Sequence, residues 1–382
     1  MDRPLKILII HPEILFKKGG AEAFTLELAH ALSKEGHKVH ILCYPGGKSR
    51  VSINGDLRIL PFLKKRLRFM FNPWIVLKLA LKNKYDVIHA QFAYPAGIWA
   101  LTVKLLRKPI LVTSHGWDLR AEYGALRNRL IALITRIVLK IIDAHVLVSK
   151  SMLKDAIKAG SSPSKIVIIH NGIDISKLRK KVNGSEILRR YSISDEEIVI
   201  LYLGRLHPLK CVGNLIKAFR KIVHTIPRAK LVISGEGSEF RKLKELAIEL
   251  GIENKVIFTG FVFGEEKISL LKRCDIFVLP SKKEGSCAPL AVIEAMAFGK
   301  PVIIPYNIDP FSEAIRPGVT GVIVPDNSPE NLANAIIDLA LNPGKRKLIG
   351  IRAMEEANKK FDIKNTVSKY LKLYSKLAHQ KV

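Results

Sequence analysis

Cysteine is scarce in this sequence, and the four cysteines that occur form no recognisable set. None belongs to a CxxC pair, and none has histidine partners at the spacing of a zinc site. We therefore expect neither a disulfide framework nor a structural metal, and a reducing, cytoplasmic location fits best. The four positions are Cys43, Cys211, Cys274 and Cys287.

Long hydrophobic runs are also absent. A membrane-spanning helix needs roughly 18 consecutive apolar residues. The nearest candidate, LIALITRIVLKIIDAHVLV, is interrupted by Arg136, Lys140 and Asp143. The N-terminal MDRPLKILII has a short apolar run that predicts a first β-strand and no signal peptide.

Acidic residues are few, because 34 Asp and Glu stand against 63 Lys and Arg, which gives a net charge of +29. Such a charge attracts nucleic acid, anionic membrane or phosphorylated substrates alike. No acidic residue lies between Asp56 and Asp86, where basic residues are interleaved with aromatic residues and leucines. Residues 58–84 therefore suit either an interfacial helix on an anionic membrane surface or an amphipathic helix with solvated lysines. The basic residues of this stretch are Arg58, Lys64, Lys65, Arg66, Arg68, Lys78, Lys82 and Lys84.

The motifs of several enzyme classes are missing as well. GGKS at 46–49 resembles the end of a Walker A loop, but Leu42 stands where that loop needs glycine. GEGSEF follows a predicted strand, but Phe240 takes the place of the last glycine in G-x-G-x-x-G. Because G-x-S-x-G and H-E-x-x-H are missing too, we expect no NAD enzyme, P-loop ATPase, serine hydrolase or zinc protease.

The sequence does contain a regular alternation of short β-branched runs and helix-length amphipathic segments. Continuous apolar strands separated by helices indicate parallel sheets covered on both faces. The pattern occurs twice, so the predicted fold class is α/β, with two Rossmann-like, doubly wound domains facing a cleft. The predicted strands read KILII, KVHILC, DVIHAQF, ILVTSH, AHVLVS and KIVIIHNG in the first half, then IVILYLG, AKLVISG, KVIFTG, DIFVLPS, PVIIP and GVIVP.

The domain boundaries are predicted from changes in composition. Residues 1–174 form the N-terminal domain, and the polar, charged segment 175–195 forms a linker. Residues 196–362 form the C-terminal domain, and 363–382 form a last helix that could pack back on the N-terminal domain. Ligands of open parallel sheets bind outside the carboxyl ends of the strands, so the site is expected in the cleft.

Two loops are suited to phosphate. Gly19 and Gly20 stand directly before a predicted helix, where the backbone can approach an anion at the helix N-terminus. A plain tight turn is the alternative. Arg205 and Lys210 follow the strand IVILYLG and could hold a diphosphate and neutralise a leaving group.

The stretch SKKEGSCAPLAVIEAMAFGKPV carries two carboxylates around a small-residue turn. Pro289 favours a helix start, which leaves the amides around Ala288 to Ala291, including that of Leu290, available to phosphate oxygens. Glu294, within the apolar helix, could accept hydroxyls of a ribose, and Glu284 those of a second sugar. The alternative for Glu294 is a buried ion pair with an arginine.

Eight segments in order resemble one family, the retaining glycosyltransferases of the GT-B fold, family four (glycosyltransferase group 1). The segments are GGAEAFTLELAHALSKEGHKVHIL, DVIHAQFAYPAG, TSHGWDL, IHNGID, GRLHPLK, FVLPSKKEG, IEAMAFGKPVI and GVTGVIVP. The resemblance implies a nucleotide-diphosphate sugar donor on the C-terminal domain, an acceptor on the N-terminal one, no bound cofactor and no metal.

The resemblance also implies roles for individual residues. Arg205 and Lys210 match the pyrophosphate-binding pair, and Glu294 matches the ribose-binding glutamate. Glu284 matches the glutamate that contacts the donor sugar, with Gly285 and Ser286 beside it. Gly20, next to Gly19, matches the glycine near the phosphates. His115 matches the histidine near the reacting sugar, so His115 and Glu284 are the expected catalytic residues.

The chain departs from the family pattern twice. Nine residues rather than seven separate Glu284 from Glu294, and a count back from Glu294 would put Ser286 in the first carboxylate's place. We prefer Glu284, because LPSKKEG keeps the Pro-Ser-x-x-Glu approach. Cys211 stands where a glycine usually follows the lysine, which puts the geometry of Lys210 in question.

The sequence thus predicts a retaining, metal-independent transferase that moves a hexose to an acceptor such as a lipid-linked glycan. The enzyme is expected in the cytoplasm, with residues 58–84 available for peripheral contact with the inner face of the membrane. A nucleotide-sugar epimerase of the same fold is one alternative. A basic nucleic-acid-binding protein without catalysis is another, although no recognisable reading helix or aromatic platform supports specific nucleic-acid binding.

Overall fold

A computed structural model describes residues 3–380 of the chain, apart from 13–19, 44–51, 54–56, 62–67, 117, 120–125, 179–181, 183, 283–288 and 307–312. The described residues form two compact units. The first comprises those up to Ile173 together with those from Asp362 onward, and the second those from Asp174 to Phe361.

The first unit is built on an eight-stranded sheet in the order β3-β4-β2-β1-β5-β6-β7-β8. All neighbouring strands are parallel except β3 and β4. The strands are β1 (Lys6–Ile10), β2 (Lys38–Cys43), β3 (Ser52–Ile53), β4 (Leu57–Pro61), β5 (Val87–Gln91), β6 (Ile110–Ser114), β7 (Ala144–Leu147) and β8 (Ile166–Ile168).

Two apolar cores cover the two faces of this sheet, because successive side chains of a strand point to opposite faces. Along β1, Ile7 and Ile9 belong to one core, and Leu8 and Ile10 belong to the other. The helices between the strands are α1 (Gly20–Lys34), α2 (Arg68–Asn83), α3 (Ile98–Ala100), α4 (Leu126–Ile141) and α5 (Leu153–Lys158). Helix α1 packs on one face, and α2 to α5 pack on the other.

The second unit has a six-stranded parallel sheet in the order β11-β10-β9-β12-β13-β14. Its strands are β9 (Ile198–Leu203), β10 (Ala229–Ser234), β11 (Val256–Gly260), β12 (Ile276–Val278), β13 (Val302–Pro305) and β14 (Val322–Val324). Its helices are α6 (Ile175–Leu178), α7 (Ser185–Arg190), α8 (Val212–Thr225), α9 (Phe240–Glu249), α10 (Gly264–Arg273), α11 (Leu290–Ala297), α12 (Pro329–Leu341) and α13 (Pro343–Phe361).

The last helix, α14 (Ile363–His379), belongs to the first unit. It follows Asp362, whose carboxylate accepts from the Lys364 amide at 2.9 Å and caps the helix. Tyr370 and Tyr374 are fully buried in the same core as α1. Two segments far apart in the sequence therefore cover one face of the first sheet.

The predicted α/β class with two Rossmann-like units is confirmed, but the first sheet is larger than expected. The short strands β3 and β4 extend it at one edge. Part of the basic stretch 58–84 therefore lies in β4 and part in α2. Helix α3 is preceded by a π-helical turn (Ala93–Gly97) and followed by a 3-10 helix (Leu101–Leu106).

Candidate functional site

His115 follows the end of β6 and is 6% exposed. Its Nε2 lies 2.7 Å from Gln91 Oε1, and a carbonyl oxygen can only accept, so the Nε2–H is the donor. Burial, with a smaller contribution from His11, lowers the pKa of His115 to about 3. The ring is therefore neutral near pH 7, and its Nδ1 is an acceptor. Among the described residues, that buried Nδ1 has no hydrogen-bond partner.

A buried chain of polar side chains supports His115 from behind. Gln91 Nε2 donates to His89 Nε2 across 3.2 Å, and His89 Nδ1 lies 2.7 Å from the hydroxyl of Tyr374 in α14. Burial lowers the pKa of His89 to about 3, so this ring is also neutral. The chain fixes which nitrogen of His115 carries the proton.

Asp118 holds the backbone on either side of His115. Its Oδ2 accepts from the Ala93 amide at 3.0 Å and from Ser114 Oγ at 2.8 Å, and its Oδ1 accepts from the Gly116 amide at 3.1 Å. Burial raises the pKa of this carboxyl, and these hydrogen bonds oppose the rise. The HGWD signature therefore includes a buried anchor for the histidine.

Gly20 begins α1 and is exposed. A Cβ added there would meet nothing within 4 Å, so packing within the chain does not require glycine at this position. Four residues along the same helix, Phe24 packs edge-on against His115, with ring centroids 6.0 Å apart. Phe24 therefore links α1 to His115.

The cations Arg205 and Lys210 lie in the loop after β9. Arg205 is exposed, and Lys210 is half-buried at the end of the turn Pro208–Lys210. The Lys282 amide donates to the Leu209 carbonyl across 2.9 Å, which joins this loop to the segment after β12. Both predicted donor-binding loops thus begin at neighbouring carboxyl ends of one sheet.

The glycines of GEGSEF have a packing role that sequence reasoning missed. Gly235 has φ +149°, and a Cβ there would clash with the Gly204 carbonyl oxygen. Gly237 has φ +156°, and a Cβ there would clash with the Leu206 carbonyl oxygen. The Leu206 amide donates to the Glu236 carbonyl at 2.9 Å. These glycines let the loop after β10 lie directly against the backbone of the Arg205 loop.

Glu294 lies in α11 with its side chain 12% exposed. Its partner is Lys267 of α10, whose Nζ lies 2.6 Å from Glu294 Oε1. The charge of Glu294 is thus paired by a lysine rather than by the arginine considered from the sequence. Sequence reasoning did not predict Lys267 as the partner of Glu294, because nothing in the sequence distinguishes this lysine from the other basic residues of the chain.

Helix α11 starts at Leu290, with Pro289 as its N-terminal cap residue. The Pro289 carbonyl accepts from the Val292 amide at 2.9 Å. The first amides of a helix, here those of Leu290 and Ala291, have no acceptor within the helix, and they are available to an anion. Gly19, Glu284, Gly285 and Ser286 lie outside the described residues.

The described ranges contain no group of three or more His, Cys, Asp or Glu side chains that could hold a metal ion. Nor does any helix in them have the length and apolar character to cross a membrane.

The two Rossmann-like units match the two-domain GT-B architecture of solved glycosyltransferases. Residues 185–356 match the family described as Glycosyl transferases group 1, and residues 18–177 match Glycosyltransferase Family 4. The chain belongs to this family, and it is an enzyme that transfers a sugar from a nucleotide sugar. The transferase prediction is confirmed, and the epimerase alternative is not favoured.

The chain is similar over nearly its whole length to characterised enzymes. It is 26% identical over 369 residues to N-acetyl-alpha-D-glucosaminyl L-malate synthase of Bacillus anthracis, covering 93% of each chain. It is 24% identical over 390 residues to UDP-Gal:alpha-D-GlcNAc-diphosphoundecaprenol alpha-1,3-galactosyltransferase of Escherichia coli, covering 97% of each.

Among solved structures, the Anabaena protein Alr3699/HepE in complex with UDP and glucose superposes with a TM-score of 0.79. The two sequences are 22% identical, and the match covers 97% of this chain and 99% of that one. This likeness concerns the fold.

Proposed function

We propose that this enzyme is a retaining, metal-independent glycosyltransferase that moves a hexose from a nucleotide-diphosphate sugar to a glycan or lipid-linked acceptor. The observation that carries the proposal is the set of donor-type groups at one edge of the second sheet, where Arg205, Lys210 and α11 follow neighbouring strands. The solved relative with UDP and glucose and the relative named for a diphosphoundecaprenol acceptor support it.

On the donor side, Arg205 and Lys210 would bind the diphosphate and neutralise the charge that develops on it as the sugar leaves. The amides of Leu290 and Ala291 would add hydrogen bonds to phosphate oxygens. Glu294 has one oxygen held by Lys267, which leaves Oε2 to accept from the ribose hydroxyls. Charge neutralisation would come from side chains and helix amides rather than from a metal.

On the acceptor side, His115 would act as a neutral hydrogen-bond acceptor. Its Nε2–H is committed to Gln91, so Nδ1 is the ring nitrogen left to accept a hydrogen bond from a sugar hydroxyl. Without a protein nucleophile, the acceptor would attack the face from which the diphosphate departs, through an oxocarbenium-like state. The leaving phosphate oxygen would take the acceptor's proton, and the anomeric configuration would be retained. Glu284, with Gly285 and Ser286, is proposed to contact the transferred sugar.

A donor screen tests this function directly. Purified enzyme with UDP-, GDP- and ADP-sugars and EDTA should release nucleoside diphosphate only when an acceptor-containing membrane lipid extract is added. NMR of the product should show the donor's anomeric configuration. Inversion, a requirement for divalent metal, or release without any dependence on acceptor would each overturn one element of the proposal.

Site variants test the donor assignment. Glu294→Gln and Lys210→Ala should each lower kcat/KM at least about a hundredfold, because each removes a charged contact to the donor. The matched controls are Glu249→Gln and Lys217→Ala, which change exposed residues on α9 and α8. Near-normal rates in both site variants would contradict the assignment.

A further inference from the structure

Helix α4 of the first unit has an unusual outer surface. Its inner side is fully buried in the sheet core through Val138 and Leu139. Its outer side carries large apolar residues at helical spacings of three and four, each 44% to 58% exposed. Residues so spaced lie on one stripe of a helix. The stripe consists of Leu130, Leu133, Ile137 and Ile141.

A second, basic stripe adjoins the apolar one. Arg129, Arg136 and Lys140 are exposed on the same helix and recur at spacings of seven and four. No acidic residue lies between Glu122 and Asp143 in the sequence. Asp143, just past the helix, is 2.5 Å from Lys104 Nζ, so its charge is locally compensated.

Helix α2 presents the same combination on the same face of the sheet. Its Val76 and Ala80 belong to the core that also receives α4. Trp74 and Leu81 are 67% and 59% exposed, and Lys78 beside them is exposed as well. Because α2 and α4 bury their inner sides in one core, their outer sides lie on the same side of the sheet and point away from it.

We propose that the outer surfaces of α4 and α2 together form a docking face for an anionic lipid bilayer, with α4 as its main element. Exposed leucine, isoleucine and tryptophan side chains would enter the boundary between headgroups and acyl chains, while arginines and lysines contact the lipid phosphates. Charge complementarity selects this occupant, since the two stripes combine apolar and cationic groups and the whole chain carries +29. The face lies on secondary structure that does not depend on a bound donor, so its test is separate from the test of transfer.

The experiment measures binding of the full-length protein to vesicles by sedimentation. Vesicles of phosphatidylcholine with about 30 mol% phosphatidylglycerol should bind the protein, and pure phosphatidylcholine should bind it much less. The double variant Leu133→Asn/Ile137→Asn should lower the partition coefficient at least about tenfold. Arg129→Gln/Lys140→Gln should lower it by a similar factor and weaken its dependence on salt.

The controls change equally exposed residues elsewhere. Ile248→Asn alters an exposed isoleucine of α9, and Arg241→Gln/Lys242→Gln removes two exposed cations from the same helix. Both should bind vesicles like the wild type, and circular dichroism should show all variants folded. Equal binding by α4 variants and controls would overturn the proposal. So would light scattering that showed the α4 stripe supporting self-association, with no loss of vesicle binding on its mutation.

Discussion

Individual residues show how the fold prepares charged and polar groups for a ligand. Lys267 pairs with Oε1 of Glu294, so the carboxylate has a cationic partner at one of its two oxygens. Gln91 does the equivalent for His115, whose neutral ring it orients. Sequence reasoning selected Glu294 and His115 but not their partners Lys267 and Gln91, which determine which atoms of the two side chains can still bind a ligand.

The backbone conformation at Cys211 explains why a glycine is usual at this position in the family. It has φ 51° and ψ 35°, a left-handed conformation directly before α8. This conformation costs an L-residue about 1–2 kcal/mol, whereas for glycine the cost is smaller and mainly entropic. We expect Cys211→Gly to raise the free energy of unfolding by about 0.5 kcal/mol, measured by urea denaturation. Cys211→Ala keeps the left-handed strain and should not raise the free energy of unfolding. A glycine variant less stable than the wild type would contradict this reasoning.

The buried histidines predict a pH dependence of stability. Burial lowers the pKa values of His89, His115 and His145 to about 3. The unfolded chain binds protons at these rings below about pH 6.5, whereas the folded chain does not. Their contribution to stability is therefore complete above about pH 6.5 and is lost as the pH falls toward 3.

When the pH falls from 7 to 5.5, each of these histidines should lower the free energy of unfolding by about 1 kcal/mol. His145 bonds to Ser114 and Ser161, and it is not one of the residues proposed to contact a substrate. In His145→Gln the histidine-dependent loss should shrink by about a third, measured by urea unfolding at the two pH values. An unchanged pH difference would show that His145 titrates normally in the folded protein.

At the scale of elements, loops are positioned by direct backbone contact between neighbouring strand ends. The loop after β10 supports the Arg205 loop, and the loop after β9 contacts the segment after β12. Gly235 and Gly237 make the first of these contacts possible. The orientation of Arg205 therefore depends on residues about thirty positions later in the chain.

Gly237→Ala tests this support. The added Cβ would clash with the Leu206 carbonyl in a backbone conformation that alanine rarely adopts. We expect a loss of about 2–4 kcal/mol in stability and weaker donor binding, measured by thermal denaturation and nucleotide titration. Gly251→Ala is the matched control, because Gly251 has φ +64° but open space around its Cβ. It should cost about 1 kcal/mol and leave donor binding intact.

Most elements could be predicted from the sequence, for a reason visible in the strands. The strands β9 to β14 are short apolar runs bounded by polar segments, and all six were predicted. By contrast, β3 is an edge strand of only two residues and β4 runs into the basic stretch, so the apolar signal of both is weak. Lys267 and Gln91 could not be selected as partners of site residues, because their contacts join segments distant in sequence.

At the scale of the whole molecule, the C-terminal segment from Asp362 onward belongs to the first unit, together with the N-terminal residues. Helix α14 fills the core beside α1 with buried residues, and Tyr374 reaches His89. The last element of the sequence thus completes the unit formed by the first. The buried apolar side chains of α14 are Ile363, Val367, Tyr370, Leu371, Tyr374 and Leu377.

Removal of residues 362–382 should unfold the first unit and spare the second. Six buried apolar side chains at about 2 kcal/mol each approach the whole stability of a domain. We expect limited proteolysis to degrade the first unit and leave a protected fragment spanning most of 174–361. A chain shortened only after Gln380 is the control and should resist proteolysis like the full protein. Protection of both units in the longer truncation would show that α14 is dispensable.

The sequence by itself determined the class of this protein, since strand and helix periods, loop glycines and ordered family motifs are local properties of the chain. It also predicts which cations and carboxylates would bind a nucleotide sugar. Only the tertiary structure decided which partner each group has: Lys267 for Glu294, Gln91 for His115, and α14 for the first sheet. The physical reason is that pairing, burial and pKa depend on neighbours in space, which the order of residues does not state.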